Sequence, residues 1–313
     1  AGLAAYIVDG AFSDEGIVEA ILAVKKCIKR ASYLSPDRID VFATAVLRNI
    51  SNSAQAIAAI EQGAGCTISL LSNADEAHLG FVGASSRGTL DDGALIDIGG
   101  GSTEITVIEN GIDVARTSLP QGSLSSYKRF VGDILPTQNE ISAIRASVRR
   151  LIAVDKTGAC TGSAQELYGV GGSIRALSEV NAWVVPGASS EEITRNDVNR
   201  MLRDVVEHRR AFIDAVLHVS PERIHTIVCG LAILVEVFEE LDGESLRICD
   251  RGVREGKEQV IAFKGRGKTP DNSLSAELFE RLLDHTVQAA QQAVRAVMDG
   301  DIESFINAYL MKC

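Results

Sequence analysis

The chain has 313 residues, 46% hydrophobic and 23% charged, a composition that builds soluble globular cores, about two of them at roughly 100–200 residues per domain. Its formal net charge of −11 and pI near 5.0 exclude a general nucleic-acid binder, whose footprint is a strongly basic face. No apolar run reaches the roughly 18–20 residues that span a bilayer, so no membrane partner is expected.

In chain order, Ser13–Arg30 reads as an amphipathic helix. Ser13 caps it, Asp14 and Glu15 favour its positive end, and Lys25, Lys26, Lys29 and Arg30 its negative end. Pro36 breaks the chain, and Ile39–Ala43 reads as a strand. Ala54–Gln62 predicts a helix stopped at Gly63, and Cys66–Leu71 a further strand, which together make a βαβ unit. Asn73 is the expected cap of the next helix, with Asp75 and Glu76 in its first turn. The polar, turn-rich stretch from Ser85 to Gly93 sets the expected domain boundary, giving domains 1–86 and 87–313. Thr137 with Glu140, and Thr194 with Asp197, are capping boxes opening helices from about Gln138 and to about Ala211. Further helices are predicted near Cys229–Glu240 and Ala276–Met298; the second belongs to an amphipathic Ser275–Cys313 segment suited to core packing or a homodimer contact.

The stretch Asp97-Ile98-Gly99-Gly100-Gly101-Ser102-Thr103-Glu104 carries the strongest chemical signal. Ala94-Leu95-Ile96 ends a buried strand at Asp97, and Thr103–Ile108 alternates as its partner. The glycines allow a tight turn whose N–H groups approach an anion without Cβ interference. Asp97 and Glu104 are expected to face each other at about 5 Å, a pair suited to Mg²⁺ (or Mn²⁺) beside phosphate oxygens. A second cluster, Gly169-Val170-Gly171-Gly172-Ser173, opens a helical segment, Ile174–Val180, where free N–H groups and the dipole favour an anion.

Two other motifs are decoys. Asp75-Glu76-Ala77-His78 spells a helicase box, and Lys264–Thr269 resembles a P-loop, but its first glycine would fall on Ala262 and Pro270 follows where a helix should start. Lys264–Lys268 is read instead as a basic linker. Five histidines show no metal-ligand pairing, and six cysteines (Cys27, Cys66, Cys160, Cys229, Cys249, Cys313) contain no Cys-x-x-Cys pair. Reduced, mostly buried thiols and an N-terminus without a basic signal-peptide region predict a cytoplasmic protein.

In order, Ala43–Arg48, Leu71–Leu79, Ile96–Glu104, Gly169–Ala176, Val228–Ala232 and Asp250–Gly256 form six blocks. Together they resemble the exopolyphosphatase/guanosine-pentaphosphatase family over about Asp9–Ile261. The resemblance implies an α/β fold of two actin-like (ribonuclease H-like) domains facing a cleft, the first lacking its N-terminal hairpin and the Asp-x-Gly-Ser/Thr-Asn-Ser phosphate turn it carries. It implies Glu76 as the residue that deprotonates the attacking water, and Asp97 and Glu104 as acidic residues at the metal end. Arg48 is then a substrate arginine, and Gly99, Gly100, Gly101 and Ser102, with Gly171, Gly172 and Ser173, are the phosphate turns. His78 stands where the family has arginine. The implied activity is Mg²⁺-dependent release of terminal phosphate from polyphosphate or guanosine pentaphosphate, with preference for shorter substrates. The rival reading is a phosphate- or nucleotide-binding sensor without turnover.

Overall fold

The structure is a computed structural model that describes residues 3–36, 38–160 and 166–265. The helix expected over 276–298, its apolar stripe, and residues 266–268 of the expected linker lie outside the described residues. Among the described residues two compact units are formed, one from residues up to 42 with 50–69, the other from 43–49 with 70–265. The boundary read from sequence at residues 86–87 falls inside the second unit.

The first unit opens with a hairpin of β1 (Ile7–Val8) and β2 (Ala11–Phe12). Asp9 and Gly10 turn it with φ of 48° and 77°, the positive pair that matches strand twist in a two-residue turn. Helix α1 (Asp14–Ser32) follows, and the Gly16 N–H donates to Ser13 Oγ at 3.1 Å as its cap requires. Strand β3 (Val41–Ala43) leads into the short α2 (Ala45–Arg48) of the second unit, and α3 (Ser53–Ala64) returns to the first. Helix α3 runs through Gly63, where a stop was expected, and ends at Gly65, whose φ of 70° is the left-handed cap. Gly63 serves packing instead: a Cβ there would overlap Ile21 of α1. Strand β4 (Ile68–Leu70) then pairs with β3.

The second unit continues with α4 (Asn73–Ala84), whose cap is Ser72 and not Asn73. The Asp75 N–H donates to Ser72 Oγ at 3.1 Å and the Asp75 carboxylate accepts from the Ser72 N–H at 3.3 Å, a reciprocal pair that Asn73 inside the helix cannot make. A meander of β5 (Gly93–Ile98), β6 (Thr103–Glu109) and β7 (Ile112–Leu119) precedes α5 (Ser123–Phe130) and α6 (Gln138–Ala153). Next come β8 (Glu166–Val170), α7 (Gly171–Val184), β9 (Glu192–Thr194), α8 (Arg195–Glu207) and α9 (Arg209–Val219). The helix expected to run to Ala211 is thus two, broken at His208. Helix α10 (Ile227–Glu240), β10 (Ser245–Ile248) and α11 (Val253–Gly265) complete the unit, so Lys264 and Gly265 end a helix and are not linker.

The large sheet has the order β7-β6-β5-β8-β10-β9. β5, β6 and β7 are antiparallel, β8 and β10 run parallel to β5, and β9 adds an antiparallel edge. A three-stranded meander extended by parallel strands is the ribonuclease H-like arrangement expected. Alternation along β5 divides the core. Ala94, Ile96 and Ile98 join a cluster with α6 to α10, while Leu95 packs with Tyr168, Val170 and Phe81 of α4. Both sheet faces are therefore covered, which explains why β5 reads as a continuous apolar run. Helix α10 is buried all round from Ile227 to Phe238; its fully buried Glu236 meets Arg145 Nε at 3.0 Å and Arg149 Nε at 2.6 Å from α6.

Candidate functional site

The parallel neighbours β5 and β8 end side by side, and the carboxyl ends of parallel strands are where open α/β sheets bind ligands. Asp97, next to last in β5, pairs with Glu104 of β6 on one side and with Val170 of β8 on the other. The expected opposition of the two carboxylates is therefore present. Between them the Gly99 N–H donates to the Ser102 carbonyl at 3.0 Å and closes the turn. The carbonyls of Gly99 and Gly100 accept from the N–H groups of Ser123 (2.9 Å), Leu124 (3.0 Å) and Ser125 (2.8 Å) at the start of α5. With those carbonyls occupied, the Gly100, Gly101 and Ser102 N–H groups donate to no backbone carbonyl among the described residues. Helix α5 sits this close because residue 122 is glycine; a Cβ there would lie 2.5 Å from the Gly99 oxygen.

Alternation puts Asp97 and Glu104 on the sheet face covered by α4, which brings Glu76. Burial and then the Glu76 charge push Asp97 up to about 6. Burial, Glu76 and Asp97 push Glu104 up to about 8, against hydroxyl bonds from Ser102 and Ser118. The Ser118 bond to Glu104 Oε1 is 2.8 Å long. Three carboxylates thus share one low-dielectric place, with Arg175 of α7 and Arg254 of α11 partly offsetting Asp97.

Arg48, at the end of α2, donates Nη1 to the Leu71 carbonyl at 2.7 Å and to Glu76 Oε2 at 2.8 Å. Its side chain is 14% exposed and that of Glu76 is 11%. Arg48 Nε and Nη2 are buried and have no acceptor among the described residues. A buried donor without an acceptor costs about 1–3 kcal/mol, more when charged, so this guanidinium is set for an anion.

The second glycine turn meets the first at Asp97. Gly171 has φ of 87°, and a Cβ there would overlap the Asp97 carboxylate. Ser173 Oγ donates to Ser123 Oγ at 3.4 Å, joining the starts of α7 and α5, and Gly230 of α10 faces both serines, where a Cβ would make ordinary contacts at 3.6 and 3.7 Å. Arg223, which follows α9, lies against Gly172 so closely that a Cβ there would overlap its guanidinium. Gly122, Ser118, Ser123, Arg175, Arg223 and Arg254 were not singled out from the sequence. Arg175 and Arg254 fall within two of the six sequence blocks, whereas no motif marks Arg223.

His78 follows Glu76 by two residues, roughly 200° around the helix. Its Nδ1 lies 2.8 Å from Asp113 Oδ2, to which Arg116 Nε also bonds at 2.7 Å. It ties α4 to β7. Among the described residues no group of three or more His, Cys, Asp or Glu is set to hold a metal, and Asp97 with Glu104 is a pair. Nor is any helix among them long and apolar enough to cross a membrane.

The model of the Ppx/GppA phosphatase family matches residues 4–258. The chain belongs to that family. Among solved structures it is similar to an exopolyphosphatase from Cytophaga hutchinsonii, at 18% identity and a TM-score of 0.70, covering 84% of this chain and 86% of that one. An exopolyphosphatase-like protein matches at 22% identity and a TM-score of 0.68, covering 82% and 87%. The Ppx/GppA member from Aquifex aeolicus matches at 20% identity and 0.62, covering 84% and 87%. As a Ppx/GppA member the chain has the actin-like α/β fold and is a hydrolase of the phosphatase type.

Proposed function

We propose that the chain removes terminal phosphate from a phosphoanhydride chain, inorganic polyphosphate or guanosine pentaphosphate, with Glu76 as general base. The observation that carries this is the Arg48–Glu76 pair beside Asp97 and Glu104, with two Arg48 nitrogens buried and unpartnered.

The reaction joins a water oxygen to the terminal phosphorus, breaks the phosphoanhydride P–O bond and delivers the water proton to the Glu76 carboxylate. It demands positioning and charge neutralisation more than covalent chemistry. Arg48 Nη1 fixes Glu76 Oε2, leaving the other carboxylate oxygen for the water. Arg48 Nε and Nη2 hold the terminal phosphate. The N–H groups of Gly100, Gly101 and Ser102, and the first-turn N–H groups of α7 at Gly172 and Ser173, receive the remaining oxygens.

Mg²⁺ or Mn²⁺ fits the donor set, because Asp97 and Glu104 concentrate buried negative charge that a divalent cation relieves. When bound, the ion neutralises phosphate charge developing in the transition state. Without it, Asp97 and Glu104, once ionised, repel both Glu76 and the substrate.

The test is release of phosphate from short polyphosphate and from guanosine pentaphosphate in ¹⁸O-labelled water, with Mg²⁺ and with chelator. One ¹⁸O in each phosphate released, only with metal, is expected. Binding of either substrate without release would overturn hydrolysis in favour of sensing, and transfer to another acceptor would favour a kinase.

A further inference from the structure

Apart from Arg254, the Asp250–Gly256 block has no part in the chemistry above, yet it meets the Glu76-bearing helix more closely than side chains permit. A Cβ on Gly83 of α4 would overlap the carbonyl of Gly252. One on Gly256 of α11 would overlap the Leu79 carbonyl and lie 3.0 Å from the Gly83 nitrogen. The two helices therefore touch backbone to backbone. Gly80 is different: a Cβ there would meet Val253 Cγ2 at 3.8 Å, an ordinary contact.

The approach is fixed at the start of α11 as well. The Gly252 N–H donates to Glu255 Oε2 at 2.8 Å, and buried Arg251 donates Nη1 to Ser86 Oγ at 3.2 Å, just past the end of α4. Glu76, Leu79, Gly80 and Gly83 are spaced three and four apart, so the carboxylate and the contact points share one stripe of α4. From α11, Arg254 acts on Asp97, the carboxylate nearest the second glycine turn.

We propose that Gly83 and Gly256 are positioning residues for Glu76: their missing side chains set the depth at which α4 lies against α11, and so the place of the Glu76 carboxylate relative to Asp97 and Glu104. The inference rests on the reading of Glu76 as the base. A methyl at residue 256 would lie 1.9 Å from the Leu79 carbonyl oxygen, so it forces the helices apart by about 1.5 Å, since nonbonded atoms settle near 3.5 Å. Misplacement of that size costs up to about 100-fold in rate.

The experiment compares the full chain with its Gly256→Ala, Gly83→Ala and Gly80→Ala variants. For Gly256→Ala and Gly83→Ala the expected result is kcat lower by about 10- to 100-fold with KM within about twofold. Gly80→Ala retains wild-type kcat. Hydrogen exchange over residues 73–84 reads the helix contact without turnover and is expected to quicken in the first two variants only. If Gly256→Ala and Gly83→Ala do not fold, Val253→Ala loosens the same contact by removing methyls and is expected to lower kcat about threefold at constant KM. Folded Gly256→Ala with wild-type kcat, or with unchanged exchange over 73–84, overturns the inference. A Glu76→Gln chain as active as wild type would instead remove the general-base reading beneath it, an outcome the exchange measurement tells apart.

Discussion

At the scale of single residues, the site is a balance of buried charges. In the folded chain Glu104 is pushed up to about 8 and Asp97 to about 6, from unfolded values of 4.5 and 3.8. Between those limits the folded state holds more protons than the unfolded one, so metal-free stability falls as pH rises through the window and is regained below it. Urea midpoints in chelator should therefore be lower at pH 8 than at pH 5. Glu104→Gln should flatten that dependence and raise the pH 8 midpoint, as should Mg²⁺ added to the wild type; a midpoint that rises from pH 5 to pH 8 in chelator would refute the charge assignment. His78 belongs at this scale too. It bonds Asp113 at 2.8 Å, so His78→Ala is expected to weaken the hold of α4 on β7 and lower the thermal midpoint. A lower midpoint without a rise in KM for phosphate substrates would separate this role from direct phosphate contact.

Asp97 and Glu104 were legible because a triple glycine between two apolar strands leaves few registers, and the one adopted pairs them. Arg48 and Glu76 were named only through family resemblance, and their pairing was not read, since nothing local to either residue says that 28 positions of chain fold back to join them. Arg223 was not legible. It reaches Gly172 from a turn after α9 that no motif marks, and only the tertiary arrangement creates the contact.

At the scale of elements, caps and glycines decide boundaries. Gly63 and Gly65 are two residues apart, and only the second has the positive φ that ends a helix; sequence alone does not tell a packing glycine from a capping one. Ser72 and Asn73 are both good caps in isolation, and the reciprocal bond to Asp75 selects Ser72. The capping boxes at Thr137 and Thr194 were read correctly because both halves of each are in the sequence. Strand β7 was missed for a physical reason: at this sheet edge its apolar Ile112 and Val114 are exposed, so its pattern does not mark a core face. Thr137→Ala is expected to destabilise the chain by about 1 kcal/mol with kcat unchanged, checked by denaturant melts and phosphate release. Loss of turnover without loss of stability would show that α6 communicates with the site in a way the contacts do not provide.

For the whole molecule, a net charge of −11 opposes a polyanionic substrate. Screening by salt shortens the reach of that repulsion, with a Debye length of about 10 Å at 0.1 M. The proposed hydrolase should therefore act on long polyphosphate with kcat/KM that rises as ionic strength goes from low to moderate, and should prefer short chains at low salt. A steep fall with added salt would reveal a basic track that attracts the polymer. The α/β class, by contrast, followed from the strand-helix alternation, and the actin-like fold and the family from six blocks in order across residues 43–256.

The central claim is that Glu76 deprotonates the attacking water beside the Arg48 guanidinium and the Asp97–Glu104 pair. Single-turnover phosphate release by wild-type and Glu76→Gln chains, at saturating short polyphosphate with Mg²⁺, tests it most directly. The account predicts release about 10²–10⁴-fold slower in the variant, with substrate affinity within a few-fold of wild type. Equal rates in the two chains would contradict it.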